Sequence, residues 1–285
     1  MQSLKKIDYL KNNLTIVIDK FICPICNSDI TMFDNSLKCK NNHTYDISNK
    51  GYFVFYKTSK IKNSKIYDTD LFTNRRNFIN GGFYDELHTL ISQIIVKKNN
   101  ANLILDLGCG EATHDRIILQ KTNNINNKII GVDISKDGIK MASDYVNSNI
   151  IPAVLDLNNL PFKPETFDII IDILSPSNEK EIKKVLKKDG IIIKVTPKKK
   201  YLYELREKFG IDDYKNEEEI DNNIRNNYNV IEKIEFEKIY NLTEEQLGTL
   251  INMTPLLKNR VKSNKINLTS ITISLNIYIL NSKEK

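Results

Sequence analysis

A chain of 285 residues, 40% of them hydrophobic, carries enough apolar matter for one large domain or for a main domain with a small appendage. Its formal charge of +6, from 42 basic and 36 acidic residues, is too small an excess to argue for nucleic acid by itself. Four unevenly placed cysteines exclude a secreted disulfide framework and favour a reducing cytosol, and no uninterrupted apolar run approaches the ~18 residues that span a bilayer. The apolar run within the N-terminal "MQSLKKIDYLKNNLTIVIDK" is too short for a signal-peptide core, so a cytoplasmic protein with no membrane partner is expected.

In chain order, residues 1–20 form a leader and residues 21–56 a Cys/His module. Cys23, Cys26, Cys39 and His43 follow the spacing C-x2-C-x12-C-x3-H, in which two close pairs of ligands can complete a tetrahedron around zinc. Four protein ligands leave no open coordination position, so the expected ion is structural. A redox Cys23–Cys26 pair belongs at a helix start after a strand, and it leaves Cys39 and His43 unexplained. A module this small buries little core, so the metal is expected to supply much of its folding energy. Residues 57–100 read as a basic connector followed by a helical segment; from Lys57 to Arg76 there are six basic residues and two acidic. A second basic stretch, Lys183 to Arg206, has nine and two. Each is either a solvated face or a stripe that attracts phosphates.

From residue 101 to 285, apolar runs ("NLILDLG", "KIIGVDIS", "NIIPAVLD", "FDIIIDIL", "GIIIKVTP") alternate with helical patterns such as "EKEIKKVLKK". That alternation predicts an α/β fold with a parallel, doubly wound sheet. "YNVIEKIEFEKIYNL" and "NLTSITISLNIYIL" alternate like partly exposed strands and predict an antiparallel edge.

"LILDLGCGEATHDRI" is a strand, a tight glycine turn and a helix start. A dinucleotide fingerprint would place glycine at position 113, where Thr113 stands. The pattern through Asp106, Gly108, Gly110 and Ala112 instead resembles the first motif of S-adenosylmethionine-dependent methyltransferases, with Ala112 at the usual third glycine. Asp133 closes the next strand, where a carboxylate can accept ribose hydroxyls, and Asp156 closes the third, where an adenine amino group is expected. Either aspartate could also be an ordinary helix cap. Cys109, inside the loop, reads as a packing residue.

Taken together, "CPIC" with "C-x3-H", "NKGYF", "RRNFINGGFYDEL", "LDLGCGEATH", "GVDISKDGIKMA", "LPF", "SPSNEKEIKKVLKKDG", "VTPKKKYLYEL" and "LTEEQLGTLINMTP" resemble the bacterial 23S rRNA (guanine-N1)-methyltransferases in order and content. The resemblance runs from about Phe21 to the C-terminus and leaves the leader outside the family pattern. It implies a Rossmann-like, seven-stranded class I methyltransferase sheet carrying a small N-terminal zinc-binding RNA-recognition module. It further implies 23S rRNA as the partner and a guanine in the loop of hairpin 35 as the target. It also implies that Tyr84, Gly110 and Glu111 contact S-adenosylmethionine. Tyr201 stands where the family can have a histidine near the cofactor, and Arg75 and Arg76 match paired arginines. Those arginines, with Lys198, Lys199 and Lys200, are the candidate RNA contacts. The oligomeric state stays open, a homodimer included.

The methyl of a sulfonium is already electrophilic, so the site must chiefly align sulfur, methyl and guanine N1, and take the N1 proton as the bond forms. "DILSPSN" should face the methyl group. Ser175 and Asn178 are candidates for the guanine edge and Asp172 for the proton acceptor, although a strand-end aspartate can equally point away. Two other readings are a methyltransferase acting on another RNA or a small molecule, and a non-catalytic zinc-dependent RNA-binding protein with a decayed methyltransferase fold.

Overall fold

The structure, a computed structural model, describes residues 4–56, 67–99, 102–211, 217–257 and 266–283. Residues 57–66, most of the basic connector, lie outside this set. The elements run α1 (Lys6–Val17), β1 (Ile30–Phe33), β2 (Ser36–Cys39), β3 (Thr44–Ser48), β4 (Tyr52–Val54), α2 (Thr69–Asn80), α3 (Asp85–Lys97), β5 (Leu103–Leu107) and α4 (Thr113–Thr122). They continue with β6 (Lys128–Asp133), α5 (Lys136–Ala142), β7 (Ile150–Val154), β8 (Phe167–Ile173), α6 (Glu179–Val185) and β9 (Leu186–Pro197). The last are α7 (Tyr203–Lys208), α8 (Glu217–Asn227), β10 (Tyr228–Asn241), α9 (Glu244–Met253) and β11 (Ser270–Ser282).

Among the described residues, eleven strands form one sheet in the order β1-β2-β3-β4-β7-β6-β5-β8-β9-β11-β10. The pairings from β4 to β9 are parallel, and antiparallel pairs flank them on both sides. The seven strands from β7 to β10 are the expected methyltransferase sheet. The other four are the metal module, which extends the sheet rather than hanging beside it. Phe53 pairs with Ala153 and Val54 with Val154, and the Phe55 amide donates to the Val154 carbonyl at 2.9 Å. The "LPF" stretch adds a second seam: Ile22 N–H donates to Pro161 O, Lys163 N–H donates to Lys20 O, and the Phe21 and Phe162 rings lie 4.9 Å apart.

Side chains alternate across the pleat, which divides the apolar runs between two cores. Leu105, Ile130, Ile151, Ile170 and Ile192 face one core; Ile104, Ile129, Ile169, Ile171 and Ile193 face the other. The first core is shared with Phe21, Leu37, Tyr45, Phe53 and Phe55 of the module, so module and sheet bury one continuous apolar surface. The leader belongs to it as well. Ile7, Leu10, Leu14 and Val17 recur at intervals of three and four, form one face of α1, and are all buried in this core. The expected antiparallel pair at the chain's end is present, but only β10 is an edge. β11 lies between β9 and β10, and Ile271 to Leu280 are buried without a break, because both sheet faces are covered there.

Since Leu14 is fully buried among side chains of the leader and sheet, Leu14→Ala should cost about 2–5 kcal/mol of unfolding free energy. Denaturant unfolding checks this; a loss below ~1 kcal/mol would show that α1 is an ornament on the fold.

Candidate functional site

Two sites emerge, both built from loops at strand ends. In the module, the β1–β2 hairpin carries Cys39 at its end, the Cys23–Cys26 knuckle precedes it, and His43 opens β3. Their four ligand atoms all lie within 4.8 Å of one another. Cys26 Sγ is 3.8 Å from Cys39 Sγ, and His43 Nδ1 is 3.5 Å from Cys23 Sγ and 3.4 Å from Cys39 Sγ. A tetrahedron with Zn–S near 2.3 Å and Zn–N near 2.0–2.1 Å has edges of roughly 3.5–3.8 Å, so the donor set fits zinc in both chemistry and spacing. The Ser28 hydroxyl, 3.1 Å from Cys26 Sγ, and the Ser28 amide pull that thiol down to about 5, toward the thiolate a metal needs. The Tyr45 hydroxyl sits 3.2 Å from Cys23 Sγ and ties the cluster to the shared core.

The second site is a cavity of about 880 Å³ at the carboxyl ends of the parallel strands, where sheet order places ligands in such folds. Gly108, with φ +76°, lines it; a Cβ there would sit 2.0 Å from Ser175 Oγ, so the glycine lets the β8 loop close onto the β5 loop. Gly110, φ +58°, donates its amide to Asp133 Oδ2 at 3.0 Å, while Ser135 N–H donates to Asp133 Oδ1 at 2.7 Å. A carboxylate has further lone pairs, so Asp133 keeps acceptor capacity for ribose hydroxyls. Burial pushes its pKa up, and those amides work against the rise. Ala112 takes φ +59° where glycine is easier; its methyl is buried with Ala142 and Ile150, which offsets part of the strain.

Other residues singled out from sequence fall on both sides of the cavity wall. Tyr84 and Tyr201 line it, their hydroxyls 2.8 Å apart. Glu111 is buried behind the loop, and its carboxylate oxygens have no hydrogen-bond partner among the described residues; burial raises its pKa and the Arg75 charge opposes this. Asp106 is buried beside Asp115, and burial holds it well above the carboxylate range, with Asp115 at about 7. Asp156 makes a turn, accepting from Asn158 N–H at 2.9 Å, and the next residue, Leu157, lines the cavity. Ser175 lines it too. Asp172 is fully buried and bonded to Lys194, and Asn178 caps α6 by accepting from Lys180 N–H and Glu181 N–H. Cys109 is held well above its ordinary pKa by burial, which fits packing rather than nucleophilic work.

Adjacent residues on α2 face apart. Arg75 lines the cavity over the Phe72 ring, whereas Arg76 bonds to Asp144 and to the Met141 carbonyl, each at 2.8 Å. Lys198 pairs with Glu235 and Lys200 with Glu237 on β10, and Lys199 N–H donates to Glu217 at 3.2 Å. Two histidines had escaped the sequence reading, although His114 directly follows the glycine loop: His88 Nε2 and His114 Nδ1 are 2.7 Å apart, and His114 lines the cavity. Burial lowers His88 to about 4 and puts His114 well below its usual value.

Sheet order, a glycine loop after β5 and a carboxylate closing β6 define a class I S-adenosylmethionine-dependent methyltransferase. Comparison agrees: a methyltransferase-domain family matches residues 98–254, and the zinc-ribbon family described as "RlmA, N-terminal" matches residues 21–60. The YxjB protein of Bacillus subtilis (strain 168), provisionally named a 23S rRNA (guanine-N1)-methyltransferase, is 33% identical over 93% of this chain and 98% of its own. The 23S rRNA (guanine(748)-N(1))-methyltransferase of Streptomyces fradiae is 24% identical over 66% of this chain and 67% of its own. A solved chain from the complex between the Haloferax volcanii Trm112 methyltransferase activator and its methyltransferase shares the fold (TM-score 0.50, 16% identity, 79% of this chain and 100% of that one). The chain belongs to the 23S rRNA (guanine-N1)-methyltransferase family, and its cofactors are S-adenosylmethionine and a metal at the zinc ribbon. No described helix is long and apolar enough to cross a membrane.

Because module and sheet share a core, removing zinc with a chelator, or Cys39→Ser, should lower the melting temperature of the whole chain in one transition. Two separated calorimetric transitions would refute that coupling. At the other site, Asp133→Ala should weaken S-adenosylhomocysteine binding about tenfold or more by calorimetry, since hydrogen bonds to charged groups are worth ~1.5–3 kcal/mol.

Proposed function

We propose that this enzyme transfers a methyl group from S-adenosylmethionine to N1 of a guanine in the loop of hairpin 35 of 23S rRNA. The observation that carries the reading is the union of a zinc ribbon and a class I methyltransferase sheet in one chain, matched nearly end to end by a relative named for that reaction. The Streptomyces fradiae relative bears a name specifying guanine 748 of 23S rRNA, which supports a single target in that RNA.

The methyl donor supplies an electrophilic carbon; as the N1–C bond forms, the S–C bond breaks and the N1 proton passes to solvent water, so the protein's work is to align donor and acceptor. Asp133 and the Gly108–Gly110 turn hold the nucleoside end, with Asp106, Glu111 and Asp156 shaping the loops behind it. Tyr84 and Tyr201 stand toward the other end. Ser175, pressed against Gly108, meets the guanine edge. Asp172 acts through Lys194, holding that cation and the Ser177 hydroxyl in place beneath the β8 loop, while Asn178 fixes the start of α6. A loop guanine is already partly unstacked, which lowers the cost of bringing it into the cavity.

Phosphates meet Arg75 at the cavity wall and Lys198, Lys199 and Lys200 beyond β9, with Arg76 bracing α2. The carboxylate that pairs with Lys200 is no obstacle: exposed ion pairs are worth about 0–1 kcal/mol, so a phosphate can take that cation, while Lys198 is only 19% exposed and contributes its charge from beside Glu235. On the module, Phe33 is 58% exposed with Lys38 Nζ 4.3 Å from its ring centroid, an aromatic and a cation on which an unpaired base can stack.

Primer-extension mapping of 23S rRNA from cells with and without the gene tests the reading, since methylation at N1 blocks Watson–Crick pairing. A stop in hairpin 35 present only with the gene is expected; identical patterns would refute it. Phe33→Ala should raise the KM for RNA about fivefold or more, given ~1–3 kcal/mol per stacked base, and leave cofactor affinity unchanged.

A further inference from the structure

Across the carboxyl edge of the sheet, the cavity's polar groups follow strand order: Asp133 after β6, the glycine loop after β5, Ser175 after β8, and Tyr201 after β9. With a nucleoside at Asp133, the residues left to hold the amino-acid end of the cofactor would be those on the loop's far side. There the His114 and Tyr84 rings meet edge to face, 5.3 Å between centroids, and the Tyr84 hydroxyl meets that of Tyr201.

The tautomer of His114 follows from its neighbours. His88 is fully buried, and its Nδ1 has no hydrogen-bond partner among the described residues, but Asp85 Oδ1 lies 3.9 Å away. A bare nitrogen lone pair facing a carboxylate is repulsive, so Nδ1 of His88 carries the proton. Its Nε2 is then the lone pair, and the 2.7 Å contact is a hydrogen bond donated by His114 Nδ1–H. A neutral imidazole protonated at Nδ1 keeps a lone pair on Nε2, and His114 lines the cavity. Both rings stay neutral because His88 is buried, His114 is half-buried and poorly hydrated, and Arg75, Arg116 and Lys121 lie near them.

We infer that the Asp85–His88–His114 chain presents His114 Nε2 as the acceptor for the α-ammonium group of S-adenosylmethionine. The inference rests on the methyl-donor reading of the cavity and not on the RNA. Charged donors strengthen such bonds, and a site built for an N–H discriminates against a ligand lacking it. His114 is thus a binding residue and His88 a positioning residue.

The test compares S-adenosylhomocysteine with its analogue lacking the α-amino group, by calorimetry on the full chain. Wild type should prefer the amine about tenfold or more. His114→Leu should reduce that preference to about twofold or less, and His114→Gln, whose amide oxygen still accepts, should keep most of it; thermal melts verify folding. Long-range proton–nitrogen correlation spectra should show His114 protonated at Nδ1. A preference unchanged in His114→Leu but lost in Glu111→Gln would assign the ammonium to Glu111 and overturn the inference, as would protonation of His114 at Nε2. Absence of binding by either nucleoside to wild type would overturn the cofactor reading together with it.

Discussion

The parallel pairing of β4 with β7 is the constraint on which the rest depends. Two residue pairs and one amide bond weld the metal module to the edge of the cofactor sheet, and the seam is backed by the Phe21–Phe53–Phe55–Phe162 aromatic cluster. An exposed parallel edge is a liability, and the module covers it. In return the sheet supplies the apolar surface that a thirty-odd-residue ribbon cannot bury alone. Metal site, module and sheet edge are therefore physically coupled through one shared core, even though the metal site and the methyl-transfer cavity occupy separate places.

Much of this was legible in sequence because it is local. The Cys23–Cys26 and Cys39–His43 pairs fall within single turns, and the apolar runs of β5 to β9 are long enough to declare buried parallel strands. The glycine loop is similarly local, since positive φ at Gly108 and Gly110 is a property of each residue. What escaped is non-local. Nothing in "NKGYFVF" says that Phe53 pairs with Ala153, a hundred residues on, so the joining of the module's four strands to the seven expected ones was not readable. The leader's apolar face, Ile7-Leu10-Leu14-Val17, was readable by its period, but its landing place was not. β11 alternated like an exposed strand and is buried, because its cover comes from elements distant in sequence.

The site shows the same division. Asp133 could be placed from sequence because strand ends define the ligand edge of such folds. Asp172 could not: its role depends on Lys194 in the neighbouring parallel strand, a register that only the sheet fixes. His88 and His114 each read as single unremarkable residues, and their meaning lies in a contact between α3 and α4. Side chains whose function is set by one partner across the fold carry no local signature.

The cavity's electrostatics tie these pieces to turnover. Asp106, Glu111, Asp115 and Asp133 crowd behind or beside the glycine loop, and burial raises the pKa of each, so this region is poorly disposed to hold so many charges unaided. Of the cations in the cavity wall, Lys194 is already committed to Asp172, which leaves Arg75 as the main protein counter-charge. A ligand carrying a sulfonium and an ammonium supplies what the site lacks, and in a low-dielectric pocket that complementarity is felt strongly. Methyl transfer turns the sulfonium into a neutral thioether and removes one of those two charges. Burial holds these carboxylates toward their neutral forms, so the positive charge of the methyl donor and the ionisation of the carboxylates beside the glycine loop are linked through the low dielectric they share.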